Sequence, residues 1–242
     1  MNQGYDAIIV GGGHNGLTAA GYLGKAGYKT IVLEKRPLVG GSSVTEEIHP
    51  GYHVSTISYN VSLLQDKVIK DLQLKKHGFS MIKLGGKLSI CNNDYLFLTD
   101  DARHNQKEIE KFSSTDYEAK VNFDAMIQEV GQVVRKQMLS EPPKLDAGIK
   151  DLFSLLKTGI EFKKLSPDRR HRLIQIFTSS AYDLIERWFD SSMLKNIYAS
   201  ACFSGNFASL KQPGSALPFF SMAIGKLEGE LGSWRLVKGG MG

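Results

Sequence analysis

Six residues, Gly11-Gly12-Gly13-His14-Asn15-Gly16, constrain this chain most, because of what stands on either side of them. Ala7-Ile8-Ile9-Val10 before them reads as a short apolar strand. After them Leu17 to Ala26 reads as a helix that Gly27 ends, and Thr30-Ile31-Val32-Leu33 reads as a second strand stopping at Glu34. Strand, Gly-x-Gly-x-x-Gly turn, helix, strand and acid, in that order, make a βαβ unit able to hold a dinucleotide. Glycine turns are common, so the motif alone is weak. The flanking elements in register give it force.

Each position has a physical task. Gly11 allows a tight turn off the strand, and Gly13 lets backbone approach a pyrophosphate that a Cβ would block. Gly16 lets the helix pack close to the strands, helped by the small Ala19, Ala20 and Gly24. Free N–H groups at the helix start, with the positive end of its dipole, attract phosphate. Glu34 follows Gly16 by eighteen residues, where a carboxylate accepts hydrogen bonds from a ribose diol. An acid there also disfavours a 2′-phosphate, which argues against NADP.

Beyond the acid, Arg36-Pro37-Leu38-Val39-Gly40-Gly41 brings a second glycine pair that an ordinary NAD site does not call for. By itself the pair reads as a loop turn. With the first motif it resembles the FAD-dependent oxidoreductase superfamily that includes amine oxidases and phytoene desaturases. In that superfamily an acid, an Arg and a following Gly-Gly wrap the adenosine and pyrophosphate of FAD. Glu34, Arg36, Gly40 and Gly41 match those positions. Thr45-Glu46-Glu47, Pro50-Gly51-Tyr52, Val54-Ser55-Thr56 and Ser58-Tyr59 narrow the resemblance to the phytoene dehydrogenase-related group.

The resemblance implies FAD as cofactor. Its implied binding set is Gly11, Gly13, His14, Asn15, Gly16, Glu34, Lys35, Arg36, Gly40, Gly41, Ser42, Gly239, Gly240 and Met241. The implied fold class is α/β: a Rossmann-like FAD-binding domain of the two-dinucleotide-binding type, with an inserted α+β substrate domain, incomplete at the C-terminus. The expected division is 1–75 for the first part of the FAD-binding domain, 76–232 for the substrate or cap domain, and 233–242 for the start of the return.

Composition bounds the alternatives. Cys91 and Cys202 lie far apart and form no C-x-x-C pair, so neither a disulfide framework nor a paired metal site is expected. Disulfide reductases share this kind of flavin-binding start but need a dithiol near the flavin, and no cysteine precedes Cys91. The two read as ordinary thiols of a reducing compartment. Only Met1 to Gly4 precede the first strand, too few for a signal peptide, and no apolar run is long enough to span a membrane. These features lead to the expectation of a cytoplasmic protein, or a mitochondrial matrix protein in a eukaryote.

The net charge of +5 and the cluster Lys163-Lys164 with Arg169-Arg170-His171-Arg172 raise peripheral contact with anionic lipid, against the simpler reading of a solvated helix start. No aromatic or groove-reading motif accompanies the cluster, so nucleic acid is not expected. His49 and His53 lack carboxylates in ligand spacing and read as hydrogen-bonded loop residues rather than metal ligands.

From Phe79 to Leu98 the period changes. Runs at 81–84, 87–90 and 95–98 are separated by Gly85-Gly86 and Asn92-Asn93-Asp94, which predicts a small antiparallel meander. Helices are predicted next: Asp116 to Met138, Ala147 to Lys164, and a third that begins at Ser166-Pro167-Asp168. Leu173, Phe177, Leu184 and Trp188, with Ile174, Ala181 and Ile185, recur at helical spacing and predict a buried face. Phe177, Trp188 and Phe189 read as core, or alternatively as the lining of an apolar substrate tunnel.

The sequence closes on Gly239-Gly240-Met241-Gly242, which in the family begins the return to the FAD-binding domain. A glycine-rich loop is a poor place for a domain to end, so the expectation is the N-terminal half of a longer protein, inactive by itself. No residue is identified as catalytic, because in flavin dehydrogenation the ring takes the hydride and the protein positions the substrate. The resemblance implies oxidation or desaturation of a small or lipophilic substrate, with an unidentified electron acceptor. A non-enzymatic carrier on the same fold is the alternative, and the intact glycine set argues against it.

Overall fold

The structure, a computed structural model, describes residues 4–138, 153, 156, 159, 160, 162–232 and 234–242. It falls into two compact units: the residues up to Leu84 joined by Gly225–Gly242, and Gly85–Ile224. The breaks therefore come after Leu84 and Ile224, where the sequence reading placed them after residues 75 and 232.

In the first unit, β1 (Ala7–Val10) and β2 (Thr30–Leu33) pair in parallel, with Ala7 opposite Thr30 and Val10 opposite Leu33. Both strands have the bounds read from their apolar runs. The helix between them, α1 (His14–Lys25), packs on both and starts three residues earlier than its apolar pattern. Its N-cap is Gly13, whose extended backbone needs no polar side chain to begin the helix. Gly27, at φ +89°, closes it as expected. The other face of β1 is bare: Val10 is 85% exposed and Ile8 63%.

Next come the hairpin β3 (Thr45–His49) and β4 (Tyr52–Ser55), the short helix α2 (Asp66–Asp71) and β5 (Met81–Lys83). β5 corrects the predicted meander. Its partner is the closing strand Arg235–Val237, antiparallel, rather than the run that follows it. The reason is burial: Met81 and Val237 pack together on Val61, Ile69 and Leu227, the small core of this unit. Arg235 adds two ion pairs, to Glu228 at 2.9 Å and Glu230 at 3.0 Å.

The second unit opens with the rest of that meander as a two-stranded hairpin, β6 (Lys87–Cys91) and β7 (Asp94–Leu98). Ser89, Leu96 and Leu98 point into the core, while Leu88, Ile90, Tyr95 and Phe97 leave the opposite face apolar and exposed. Helices α3 (Ala102–Glu110), α4 (Asp116–Met138), α5 (Pro167–Thr178), α6 (Ala181–Trp188) and α7 (Ser192–Phe203) follow. Phe123 of α4 is the hub of their core, edge-on to Trp188, Phe189, Tyr198 and Phe219 at centroid distances of 5.0–5.4 Å. The expected helix over 147–164 lies mostly outside the described residues.

The stripe from Leu173 to Trp188 is not one helix. Ser180 breaks it, accepting from the N–H of Asp183 at 3.0 Å and so capping α6. The turn takes the stripe out of phase, which is why Ile174 and Phe177 are exposed while Ala181, Leu184, Ile185 and Phe189 are buried. Two cations of the basic cluster, Arg169 and Arg172, share the carboxylate of Glu129. Among the described residues no helix is long and apolar enough to cross a membrane.

Asp116 is the most demanding group of this unit. At 1% exposure, it accepts the N–H groups of Asp190 and Ser191, each at 2.8 Å. Asp116→Ala leaves both donors without their acceptor. Urea unfolding should show a loss of about 2–3 kcal/mol.

Candidate dinucleotide site

The site is built from two glycine turns lying backbone to backbone. Gly11, at φ +102°, turns the chain off β1, and its N–H donates to the carbonyl of Leu33 at 2.8 Å. The N–H of Gly40 donates to the carbonyl of Gly12 at 2.7 Å, and Gly13 and Gly40 form a parallel bridge. The approach is tight on the side of Gly41. A Cβ on Gly41, itself at φ +59°, would stand 3.0 Å from the Cα of Gly13. A Cβ on Gly16 would stand 2.1 Å from the carbonyl oxygen of Gly11.

Glu34 ties these turns to β2. One carboxylate oxygen accepts from the N–H of Gly12 at 2.7 Å and the other from the N–H of Arg36 at 2.9 Å. These bonds, that of Arg36 first, hold its carboxyl below the ordinary value of 4.5, so the group is an anion at neutral pH. Each oxygen keeps a lone pair free for a ribose hydroxyl.

The residues fit the adenosine diphosphate portion of FAD. No side chain caps the N-terminus of α1 and no acid stands in its first turn, so its free N–H groups are left to an anion. A Cβ on Gly13 would meet only the Cα of Gly41, at 3.8 Å; the space before it is open, and a larger side chain would fill it. His14 and Asn15 are exposed at the same helix start, as is Lys35 after β2. Ser42 lies in the tight turn Gly41–Ser43 and its carbonyl accepts from the N–H of Ser58 at 3.0 Å.

Gly12 and Glu46 also shape this turn without a signal in the motif. Gly12 occupies a variable position of the pattern, yet a Cβ there would stand 3.0 Å from Val39 and 3.2 Å from the Glu34 carboxylate. Glu46 pairs with the guanidinium of Arg36 and accepts the hydroxyl of Thr56 at 3.1 Å. The acid belongs to a strand ten residues away, so no local spacing marks the pair.

Gly239, Gly240 and Met241 return to the same unit, where Gly239 is exposed while Gly240 and Met241 meet protein. A Cβ on Gly240 would stand 2.3 Å from the Thr45 hydroxyl, which accepts the N–H of Gly242 at 2.9 Å. The N–H of Met241 donates to Ser55 at 3.0 Å, and its side chain packs on the small core. Packing on the β3–β4 hairpin is therefore sufficient reason for Gly240 to be glycine. His49 lies edge-on to Tyr52, and among the described residues no three His, Cys, Asp or Glu side chains cluster to hold a metal.

Fold and site together define a Rossmann-type nucleotide-binding unit, and residues 9–72 match the NAD(P)-binding Rossmann-like domain family. Along its length the chain is similar to proteins of the FAD/NAD(P)-binding Rossmann superfamily of oxidoreductases. Over 266 aligned residues it is 34% identical to pyridine nucleotide-disulfide oxidoreductase domain-containing protein 2 of Rattus norvegicus, covering 98% of this chain and 44% of that protein. It is 34% identical over 115 residues to a limonene dehydrogenase polypeptide of Castellaniella defragrans, covering 47% of this chain and 21% of that one. A putrescine oxidase solved with putrescine bound superposes with a TM-score of 0.54 at 21% identity, over 98% of this chain and 46% of that one, which shows the fold. The chain thus spans less than half the length of these proteins. Both of its cysteines are free and lie in the second unit, and burial pushes the thiol of Cys202 up to about 12.

Two outcomes follow from the geometry. Gly16→Ala forces α1 away from the Gly11 turn; stability should fall by about 1–3 kcal/mol in urea unfolding. A depressed carboxyl such as Glu34 contributes stability in full above 4.5 and loses it as the pH falls through the lower folded value. The urea midpoint of Glu34→Gln should therefore lie below that of the parent at about pH 7, and the gap should narrow as the pH falls below 4.5.

Proposed function

We propose that this chain is the nucleotide-binding portion of an FAD-dependent oxidoreductase of dehydrogenase or desaturase type, acting on a small or lipophilic substrate. The observation that carries this reading is the second glycine turn. Gly40 and Gly41 lie against Gly12 and Gly13 beside the uncapped start of α1, so one pyrophosphate would meet backbone from both. When bound, FAD supplies the acceptor for a hydride drawn from the substrate. The chain's own residues do the holding: Glu34 takes the ribose, Gly13 keeps the approach clear, and the first turn of α1 faces the phosphates.

A lipophilic substrate is favoured by two things. The limonene dehydrogenase polypeptide, whose name carries a hydrocarbon substrate, is similar over 115 residues. The exposed face of the β6–β7 hairpin, with Leu88, Ile90, Tyr95 and Phe97, suits an apolar ligand. The electron acceptor is not assigned. Peripheral contact with anionic lipid would rest on Lys163, Lys164 and His171, since Arg169 and Arg172 already share Glu129. The relatives are more than twice as long, so turnover is a property proposed for the whole protein rather than for these 242 residues.

The test is the visible spectrum of the desalted full-length protein. Flavin bands should survive desalting, and Gly13→Val, which fills the open space, should lower bound flavin about tenfold or more. A folded, colourless protein that FAD does not reconstitute would sink this reading and put a non-enzymatic carrier in its place.

A further inference from the structure

We infer that Glu46 is a specificity residue of the dinucleotide site, acting through Arg36. By holding the guanidinium, it withholds from a 2′-phosphate a cation well placed to receive one. Glu34 and Glu46 together then reserve the site for dinucleotides with a free ribose diol. The inference rests on the dinucleotide reading above and goes beyond it, since Glu34 alone was the acid expected to discriminate.

Sites that accept a 2′-phosphorylated ribose do so with an arginine near the end of the second strand. Arg36 is such an arginine. It stands two residues beyond Glu34, and its own N–H donates to the Glu34 carboxylate at 2.9 Å. Left free, its planar fork would match a phosphate in a charge-assisted pair. It is not free, because the guanidinium pairs with one oxygen of Glu46 on β3. Thr56 donates to the other oxygen of that carboxylate at 3.1 Å, and the N–H of Thr56 donates to the carbonyl of Val44 at 3.4 Å. Glu46 is thus oriented from both ends. Within the group Glu34, Arg36 and Glu46 the charge is −1, so the pair leaves no uncompensated charge on Arg36 for a 2′-phosphate. The Arg36 and Glu46 side chains are 46% and 30% exposed, and surface pairs of this kind contribute little to folding, so removing the acid alters charge more than structure.

The experiment is calorimetric titration of the 242-residue chain with ADP-ribose and with 2′-phospho-ADP-ribose, in the parent and in Glu46→Gln, Glu34→Gln and the double variant. The parent should prefer ADP-ribose. Glu46→Gln should narrow that preference about tenfold while changing ADP-ribose affinity less than about twofold, and the double variant should narrow it further. The gain should fade with added salt and disappear when Arg36→Gln is added. A preference unchanged by Glu46→Gln but abolished by Glu34→Gln alone would overturn the role given to Glu46 and leave the dinucleotide reading standing. Binding of neither compound by the folded parent would overturn both.

Should Glu46→Gln fail to fold, Arg36→Gln in the Glu34→Gln background decides the matter. A masked arginine predicts less than about a twofold change in the ratio of the two affinities. A tenfold loss of the phosphorylated ligand relative to the plain one would show Arg36 already in reach of it, against the proposal.

Discussion

The nucleotide end of this chain depends on the Glu34 carboxylate. It accepts one backbone N–H from the turn after β1 and another from the turn after β2, and so ties together two segments that the β1–β2 ladder and the Gly40 N–H to Gly12 carbonyl bond also join. The Gly12 peptide is then satisfied at both ends, its N–H by Glu34 and its carbonyl by the N–H of Gly40. A turn with both polar groups paired and no side chain in the way has one conformation left to it. That conformation leaves open space before Gly13 and aims the first turn of α1 into it. The same two bonds depress the carboxyl and keep it charged, so the architecture and the proposed ribose recognition have a common cause.

The second unit is held by different physics. Its core is aromatic, with Phe123 edge-on to four rings and Phe189 stacked on Tyr198 at 4.6 Å. The buried Asp116 orders the turn into α7 by accepting two N–H groups there. This core buries one face of β6–β7 while the other stays apolar and open. In the first unit, likewise, Ile8 and Val10 lie bare on β1, although parallel strands are ordinarily covered on both faces. The relatives that match this chain along its length are more than twice as long.

Much of the nucleotide turn was legible in the residues because its causes are local. Gly11 needs its positive φ, Gly16 meets the Gly11 carbonyl five residues back, and the ends of β1, β2 and α1 follow apolar period and glycine. The helical stripe from Leu173 to Trp188 misled for an equally local reason, since a serine cap at Ser180 interrupts a period that continues on both sides of it. Other features had no local cause. β5 takes as partner a strand some 150 residues further on, and Gly240 answers to Thr45 across nearly two hundred.

By itself, then, the sequence determined that a glycine-rich βαβ turn stands here with an acid at its end. Backbone dihedrals, a missing Cβ and a short-range period are properties of neighbouring residues. Only the tertiary structure decided what Arg36 pairs with. Its charge faces Glu46 because the β3–β4 hairpin folds back beside the turn after β2, and a contact between segments ten residues apart in separate elements leaves no pattern in the chain.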